Sequence, residues 1–348
     1  MIRETTPAAR WGMLSTADIG RTVAAALRSS QTAELVAVAG RHGAKAAAFA
    51  AELGIPTSYG CYDALLADDS IDAVYIPLPN TLHAEWTIRA LRAGKHVLCE
   101  KPFALTPAEV DACFDAADAA DRWCIEGFMW RLHPQTLLTS KLLADGVIGD
   151  LATVRASLTV DAPAGNIRRR TDLGGGALWD LGCYCVSAIR LFAGRPAAVG
   201  ATQIVDPLAT GEGHDLRMVA HFTMPRNVLG QLDVGLDLTR RDLLELVGTR
   251  GRIVVPDPWL CRAGYVTVVR DGHEERFEAD PSGEYGLAPA APHNTDAYRI
   301  EFEAASHAIT TRQAPRFGRA DAAEQAEVID AVRRSATARR TVELTTTV

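Results

Sequence analysis

The stretch Ala73–Thr106, AVYIPLPNTLHAEWTIRALRAGKHVLCEKPFALT, constrains this chain more than any other. Ala73–Ile76 is a β-branched apolar run that stops at Pro77, the pattern of a strand buried on both faces. Leu82–Ala93 has helical periodicity, with Asn80 or Thr81 as the expected N-cap and Gly94 just past its end. His96–Cys99 is a second short apolar strand, closed by Glu100, Lys101 and Pro102. Strand, helix and strand in so short a span form a βαβ unit. Its polar residues, Asn80 and His83 after the first strand, Glu100 and Lys101 after the second, gather where strands end. In an open parallel sheet that is where ligands bind.

The rest of the first half repeats the unit. Trp11–Leu14 is a candidate strand, followed by Ser15-Thr16-Ala17-Asp18-Ile19-Gly20 and a helix to about Ser29. A dinucleotide fold places G-x-G-x-x-G at such a turn. Here Ser15 and Ala17 stand for the first two glycines and only Gly20 remains. Small residues still allow a pyrophosphate to approach the helix N-terminus. Leu35–Ala39 is the next strand and ends in Gly40-Arg41. An acidic residue there would hold a ribose 2′-hydroxyl. Arg41, with His42 and Lys45 nearby, suits a 2′-phosphate instead, and so NADP before NAD. The plainer reading is a solvated arginine opening a helix. Helices follow at Ala44–Leu53, Asp63–Ala67 and Pro107–Ala120, the last capped by Thr106, with short strands at Ile55–Ser58 and Trp123–Ile125.

After Glu126–Arg131 the pattern changes. His133–Asp145 is helical and Leu151–Val160 alternates like a half-buried strand. Gly174-Gly175-Gly176 leads into a helix expected over Ala177–Phe192. Strands then succeed one another at 198–205, 216–224, 228–237, 243–247, 252–255 and 266–270, which implies antiparallel pairing. Ser282–Asn294 reads as a Gly/Pro-rich loop, and helices at 296–311 and 321–338 close the chain. The expected fold is a Rossmann-type α/β domain over 1–128 and an α+β domain with a large, mostly antiparallel open sheet over 129–348.

Bulk properties exclude several alternatives. A net charge of -7 argues against a nucleic-acid surface. MIRETTPAARW has no apolar stretch of the kind a secretory leader needs, and no apolar run is long enough for a bilayer. The seven cysteines contain no C-x-x-C and are odd in number, as expected of reduced thiols in a cytoplasm. No histidine lies in an H-x-x-x-H or E-x-x-H pair, so no metal is expected.

Arg10-Trp11-Gly12, Pro79-Asn80 with His83, the string Ala93-Gly94-Lys95-His96-Val97 with Glu100-Lys101-Pro102, Glu126–Arg131 with His133-Pro134, and Gly174-Gly175-Gly176-Ala177-Leu178 with Asp180, Gly182 and Tyr184 occur in this order. In these motifs the chain resembles the glucose–fructose oxidoreductase / inositol dehydrogenase (Gfo/Idh/MocA) family over nearly its whole length. The resemblance implies an NADP(H)-dependent oxidoreductase of sugar or cyclic-polyol carbinols. Ser15, Thr16, Ala17, Asp18, Ile19, Gly40, Arg41, Lys45, Leu78, Pro79, Asn80, His83, Glu100, Lys101 and Arg131 would meet the cofactor. Lys101 matches the family's catalytic lysine, and Asp180 and Tyr184 match its substrate and acid/base positions. Many members have His where this chain has Tyr184. The tyrosine form resembles the branch with dimeric dihydrodiol dehydrogenase, NADP-xylose dehydrogenase and 3-ketosugar reductases. Trp130, Arg168 and Trp179 are candidate pocket walls. The resemblance also implies a homodimer or homotetramer built through the second sheet.

The chemistry is coherent. Moving a hydride from a carbinol requires the hydroxyl proton to be taken up. A tyrosine does this when a neighbouring ammonium lowers its pKa from about 10, and Lys101 would supply that charge. Asp180 and Tyr184, spaced i and i+4, share one helix face. Each residue also has a plainer reading: a salt-bridged surface lysine, a core aromatic, a solvated aspartate, a helix cap at Asn80, and packing at Arg131. Two other functions fit the same fold, a dinucleotide-gated regulator without turnover and a hydrolase that retains its cofactor.

Overall fold

In the computed structural model, residues 7–207, 213–287 and 296–344 are described. The chain divides into two units. The first alternates strand and helix: β1 (Ala9–Leu14), α1 (Ile19–Leu27), β2 (Ala33–Ala39), α2 (Gly43–Leu53), β3 (Thr57–Tyr59), α3 (Tyr62–Leu66), β4 (Ala73–Ile76), α4 (His83–Arg92), β5 (His96–Glu100), α5 (Pro107–Ala120) and β6 (Cys124–Gly127). All six strands are parallel, in the order β3-β2-β1-β4-β5-β6. This is the doubly wound dinucleotide-binding order, whose ligand crevice opens where the order reverses, between β1 and β4. Every residue of β4 is buried, as its unbroken apolar run requires.

The second unit holds α6 (Pro134–Ala144), β7 (Leu151–Asp161), α7 (Cys183–Ala193), β8 (Ala198–Val205), β9 (Asp215–Thr223), β10 (Leu229–Gly235), β11 (Asp237–Gly248), β12 (Gly251–Val254), β13 (Tyr265–Arg270) and β14 (His273–Glu278). After them come α8 (Asp296–Thr311), α9 (Arg319–Ala338) and β15 (Val342–Glu343). One sheet runs β14-β13-β12-β11-β7-β10-β9-β8-β15. Its pairs are antiparallel except β10 with β7. The exception has a cause in the connection, because between β7 and β10 the chain crosses over through α7. Val154, Ala156 and Leu158 of β7 and Leu232 and Val234 of β10 are buried on the face that α7 covers. Ile204, Val219 and Leu229 are each more than half exposed.

Helix α8 follows the second sheet in sequence yet belongs to the first unit. It lies on α1, β1 and β2. Phe302 meets Trp11 edge-on at 4.8 Å and Tyr75 at 5.3 Å, and Ser306 Oγ accepts a bond from Trp11 Nε1 at 3.0 Å.

Several expectations need correction. Neither Asn80 nor Thr81 caps a helix: Asn80–Leu82 forms its own 3₁₀ turn, and α4 starts at His83 without a side-chain cap. The helix expected over Ala177–Phe192 opens instead with a π-turn, Leu178–Gly182, before α7. β14 and β15 were not expected as strands. The loop expected at Ser282–Asn294 lies, from residue 288 on, outside the described residues.

Candidate active site

In the first unit the expected cofactor residues stand at the carboxyl ends of four strands. The turn after β1 is held by Ser15 Oγ, which accepts from Ala17 N at 3.0 Å. Ser15 adopts φ +150°, a conformation L side chains rarely take. The serine thus occupies the backbone geometry of the glycine it replaces. Asp18 stands at the N-cap of α1 without a side-chain capping bond, and the first turn is closed by main-chain bonds, Gly20 N to Ala17 O at 2.9 Å and Arg21 N to Asp18 O at 3.0 Å. Gly20 lets α1 approach the sheet: a Cβ there would lie 2.8 Å from Met13 Sδ. Gly40 ends β2 against the same turn, since a Cβ on it would come 3.4 Å from Thr16 Cγ2. Arg41 and Lys45 beyond it are exposed. After β4 come buried Leu78 and half-buried Pro79 and Asn80.

Glu100 and Lys101 end β5, both half-buried. Glu100 is oriented from behind, its Oε1 accepting from the Tyr75 hydroxyl at 2.6 Å. Burial, with Glu100 beside it, pushes the Tyr75 phenol well above its usual range, so that hydroxyl remains a donor. The Lys101–Pro102 peptide is cis.

His83 is placed differently from the expected cofactor contact. It is buried, with Nδ1 2.8 Å from Pro102 O and Nε2 2.8 Å from Leu78 O. Both ring nitrogens are committed to main-chain carbonyls, so the imidazole ties the end of β4 to the turn after Lys101. Burial lowers its pKa against the pull of the two carbonyls, and the Lys101 charge pushes the same way. A neutral ring donates to one carbonyl and rests against the other.

In the second unit, Asp180 lies in the π-turn and Tyr184 in the first turn of α7. Asp180 Oδ2 accepts from Arg168 Nε at 2.8 Å. The glycine turn is locked to the arginine turn: Gly175 N donates to Arg170 O and Gly176 N to Arg168 O, both at 2.9 Å. Tyr184 is nearly buried, its ring 5.8 Å from that of Trp259. Trp130, expected as a pocket wall, has no exposed surface and packs edge-on against Trp259. It therefore backs the ring that stands against Tyr184. Trp179 is half-buried. Arg131 is buried and donates from Nε to Ser187 Oγ of α7 at 2.8 Å.

Several contributors had little signal in the sequence. Arg169 and His214 both bond the buried carboxylate of Asp206, at 2.7 and 3.2 Å. Asp215, at the start of β9, accepts from Leu178 N at 2.6 Å. Arg169 was visible only as the middle of the Arg168–Arg170 cluster, a solvated face or an anion site by sequence, and Asp206, His214 and Asp215 had no spacing to mark them. Among the described residues, no three His, Cys, Asp or Glu side chains assemble as a metal site requires. No helix among them is long and apolar enough to cross a membrane.

Comparison with known proteins agrees with the two-part fold. Residues 9–128 match the oxidoreductase family with NAD-binding Rossmann fold, and residues 137–254 match the GFO/IDH/MocA C-terminal domain. The chain is 38% identical over 342 residues to D-xylose 1-dehydrogenase (NADP(+)) 2 of Haloferax volcanii, covering 96% of this chain and 99% of that protein. The crystal structure of a 3-ketoreductase from Actinomadura kijaniata in complex with NADP and TDP-benzene superposes with a TM-score of 0.84 at 33% identity, covering 94% of this chain and 98% of that one. An aldose-aldose oxidoreductase from Caulobacter crescentus complexed with glycerol gives 0.84 at 27% identity, covering 97% and 100%. With the nucleotide-binding sheet, its strand-end residues and the glycine-turn helix in place, the chain belongs to the GFO/IDH/MocA oxidoreductase family.

Proposed function

We propose that the protein is an NADP(H)-dependent oxidoreductase that oxidises the carbinol of a free aldose. Residues 1–128 serve cofactor binding, and residues 129–348, apart from α8, serve substrate binding and assembly. The observation that carries the cofactor preference is the end of β2: Gly40 packs against the first turn, and exposed Arg41 follows it where an NAD-type site has a carboxylate. Arg41 and Lys45 would take the 2′-phosphate, and the turn Ser15–Ile19 the pyrophosphate. Leu78, Pro79, Asn80 and Glu100 would flank the nicotinamide half. When bound, the cofactor accepts the hydride. Asp180, ion-paired with Arg168, accepts bonds from sugar hydroxyls. Tyr184 takes the hydroxyl proton, and the Lys101 ammonium stabilises the developing alkoxide.

The arginine turn favours an uncharged sugar. Arg168, Arg169 and Arg170 are each ion-paired to an aspartate of their own, Asp180, Asp206 and Asp172. A diphosphate would have to displace those carboxylates. The second reading, a nucleotide-linked 3-ketosugar reductase, is supported by the likeness to the Actinomadura kijaniata enzyme. Nicotinamide absorbance with free aldoses, inositols, trans-dihydrodiols and nucleotide-linked ketosugars separates the two. Turnover confined to nucleotide-linked ketosugars selects the reductase. A Lys101→Ala variant that keeps turnover within about threefold of the parent refutes the assignment of Lys101 to proton chemistry, whose loss is worth 10²–10⁴.

Two further assignments rest on thinner support. Exposed Ile204, Val219 and Leu229 on one face of the second sheet support assembly into a homodimer or homotetramer through that face. Light scattering of Val219→Glu against the parent tests it. All seven cysteines are free thiols, which supports a cytoplasmic location.

A further inference from the structure

The triple-glycine turn closes over a carboxylate that the reaction scheme does not use. Asp215 opens β9 and is 9% exposed. Its Oδ2 accepts from Leu178 N, the first residue of the π-turn, at 2.6 Å. Its Oδ1 sits beneath Gly176, whose φ is +138°: a Cβ on Gly176 would lie 2.5 Å from that oxygen. Gly176 is therefore glycine twice over, for its backbone angle and for the carboxylate under it. From this point the main chain passes to Trp179, Asp180 and Tyr184, with Asp180 N bonded to Gly176 O at 3.0 Å.

We propose that Asp215 is a positioning residue: its carboxylate anchors the start of the helix that presents Asp180 and Tyr184, and sugar turnover depends on its ionised form. The inference rests on the reading of Asp180 and Tyr184 given above. An ionised acceptor at a helix N-terminus makes a short, charge-assisted bond to an otherwise open amide. A protonated carboxyl accepts more weakly and frees the turn to shift.

The surroundings make this anchor proton-sensitive. Among the described residues no cation is ion-paired with Asp215. Only burial and two main-chain amides act on its carboxyl, and the charged groups nearest to it in sequence or on the facing turn have partners of their own. On its own strand and the adjoining loops, His214 bonds Asp206 and Thr171, and Arg169 bonds Asp206. Arg168 bonds Asp180, and Arg217, two residues on along β9, bonds Asp237. Burial, opposed by the amides of Leu178 and Asp215, pushes the carboxyl up to about 7. A cap needed only for stability would not call for a buried charge, because an asparagine would accept from the same amide, more weakly but without that cost. Between the ordinary carboxylate range and pH 7 the folded state holds a proton that the unfolded chain has released. Folding stability therefore falls as pH rises through this window, while the proposed activity rises.

The test compares wild type, Asp215→Asn and His214→Gln, measuring kcat and KM for the turned-over sugar from pH 5.5 to 9 (about the window set by the shifted group), with NADP affinity and thermal midpoints. The expected wild-type profile has an acid limb centred near pH 7. Asp215→Asn loses that limb and sits about tenfold below wild type at pH 8, with NADP affinity within about twofold and a thermal midpoint no lower than wild type. His214→Gln keeps the limb. A limb that survives in Asp215→Asn, or full activity of that variant at pH 8, overturns the proposal. If Asp215→Asn does not fold, ¹³C-carboxyl titration of wild type decides: an aspartate with a near-neutral midpoint that moves on sugar binding supports it, and its absence overturns it. Asp180→Asn and Tyr184→Phe run in parallel. If both keep full activity, the site assignment fails; if they lose activity while Asp215→Asn does not, only the anchor fails.

Discussion

Gly175→Ala tests whether the glycine and arginine turns form one rigid cradle. A Cβ at Gly175 would lie 2.5 Å from Arg168 O and 2.8 Å from both the N and O of Arg170. These are main-chain atoms, so no rotamer change relieves the overlap. To restore ordinary contact the arginine turn must retreat by about 0.9 Å. The bonds Gly175 N to Arg170 O and Gly176 N to Arg168 O, now 2.9 Å, would then exceed hydrogen-bonding distance. Two lost bonds at about 1 kcal/mol each and overpacking of about 1–3 kcal/mol give an expected loss of about 3–5 kcal/mol. The measurement is urea unfolding, where the midpoint should fall with the slope unchanged. Gly165→Ala is the control, because nothing lies within 4 Å of a Cβ there. It should stay within about 0.5 kcal/mol. Because Arg168 also bonds Asp180, Gly175→Ala should cost more in sugar kcat/KM than in NADP affinity. A Gly175→Ala protein within about 0.5 kcal/mol of the parent would refute the cradle.

Three other outcomes are expected. His83→Ala leaves whichever of the Leu78 and Pro102 carbonyls the neutral ring donates to without its donor, and should cost about 1–3 kcal/mol in denaturant unfolding. His96 accepts a bond from Trp123 N, and burial, helped by Arg122, holds it down at about 4. Between pH 6.5 and 4 the unfolded chain binds a proton that the folded chain refuses, so stability should fall with pH across this window, by about 1–2 kcal/mol after screening, and His96→Asn should flatten the slope in pH-dependent unfolding. Arg169→Met takes the guanidinium from the buried Asp206 carboxylate, leaving it His214, and should cost about 3–5 kcal/mol, whereas Arg169→Met combined with Asp206→Leu should recover part of it in a double-mutant cycle.

The first sheet was legible because doubly buried parallel strands are written as unbroken apolar runs, and β4 and β5 are two of them. The turn after β1 was harder: Ser15 takes a glycine's conformation without being glycine, so the letter hides the geometry. β14 (HEERFE) escaped notice because it is an edge strand with charges on both faces, the composition that keeps edges from pairing further. The parallel pairing of β10 with β7 is set by connection through α7, which strand composition does not encode. Asp180 and Tyr184 could be grouped by i, i+4 spacing, whereas the π-turn that holds Asp180 has no residue signature. His83 misled for a specific reason: its place beside the strand end was readable, but not that both nitrogens turn inward to carbonyls. Asp215 left no trace, since its partner is a main-chain amide thirty-seven residues away.

The return of α8 to the first unit bears on how the protein is made. Trp11 and Tyr75 emerge early from the ribosome, but the ring that covers them, Phe302, comes more than two hundred residues later. Until then the nascent nucleotide-binding half presents an unfinished apolar surface, the kind that holdase chaperones bind. A fragment cut after residue 128 keeps that surface for good. Released from the tunnel, it should aggregate, and α8 added as a separate peptide should restore its solubility.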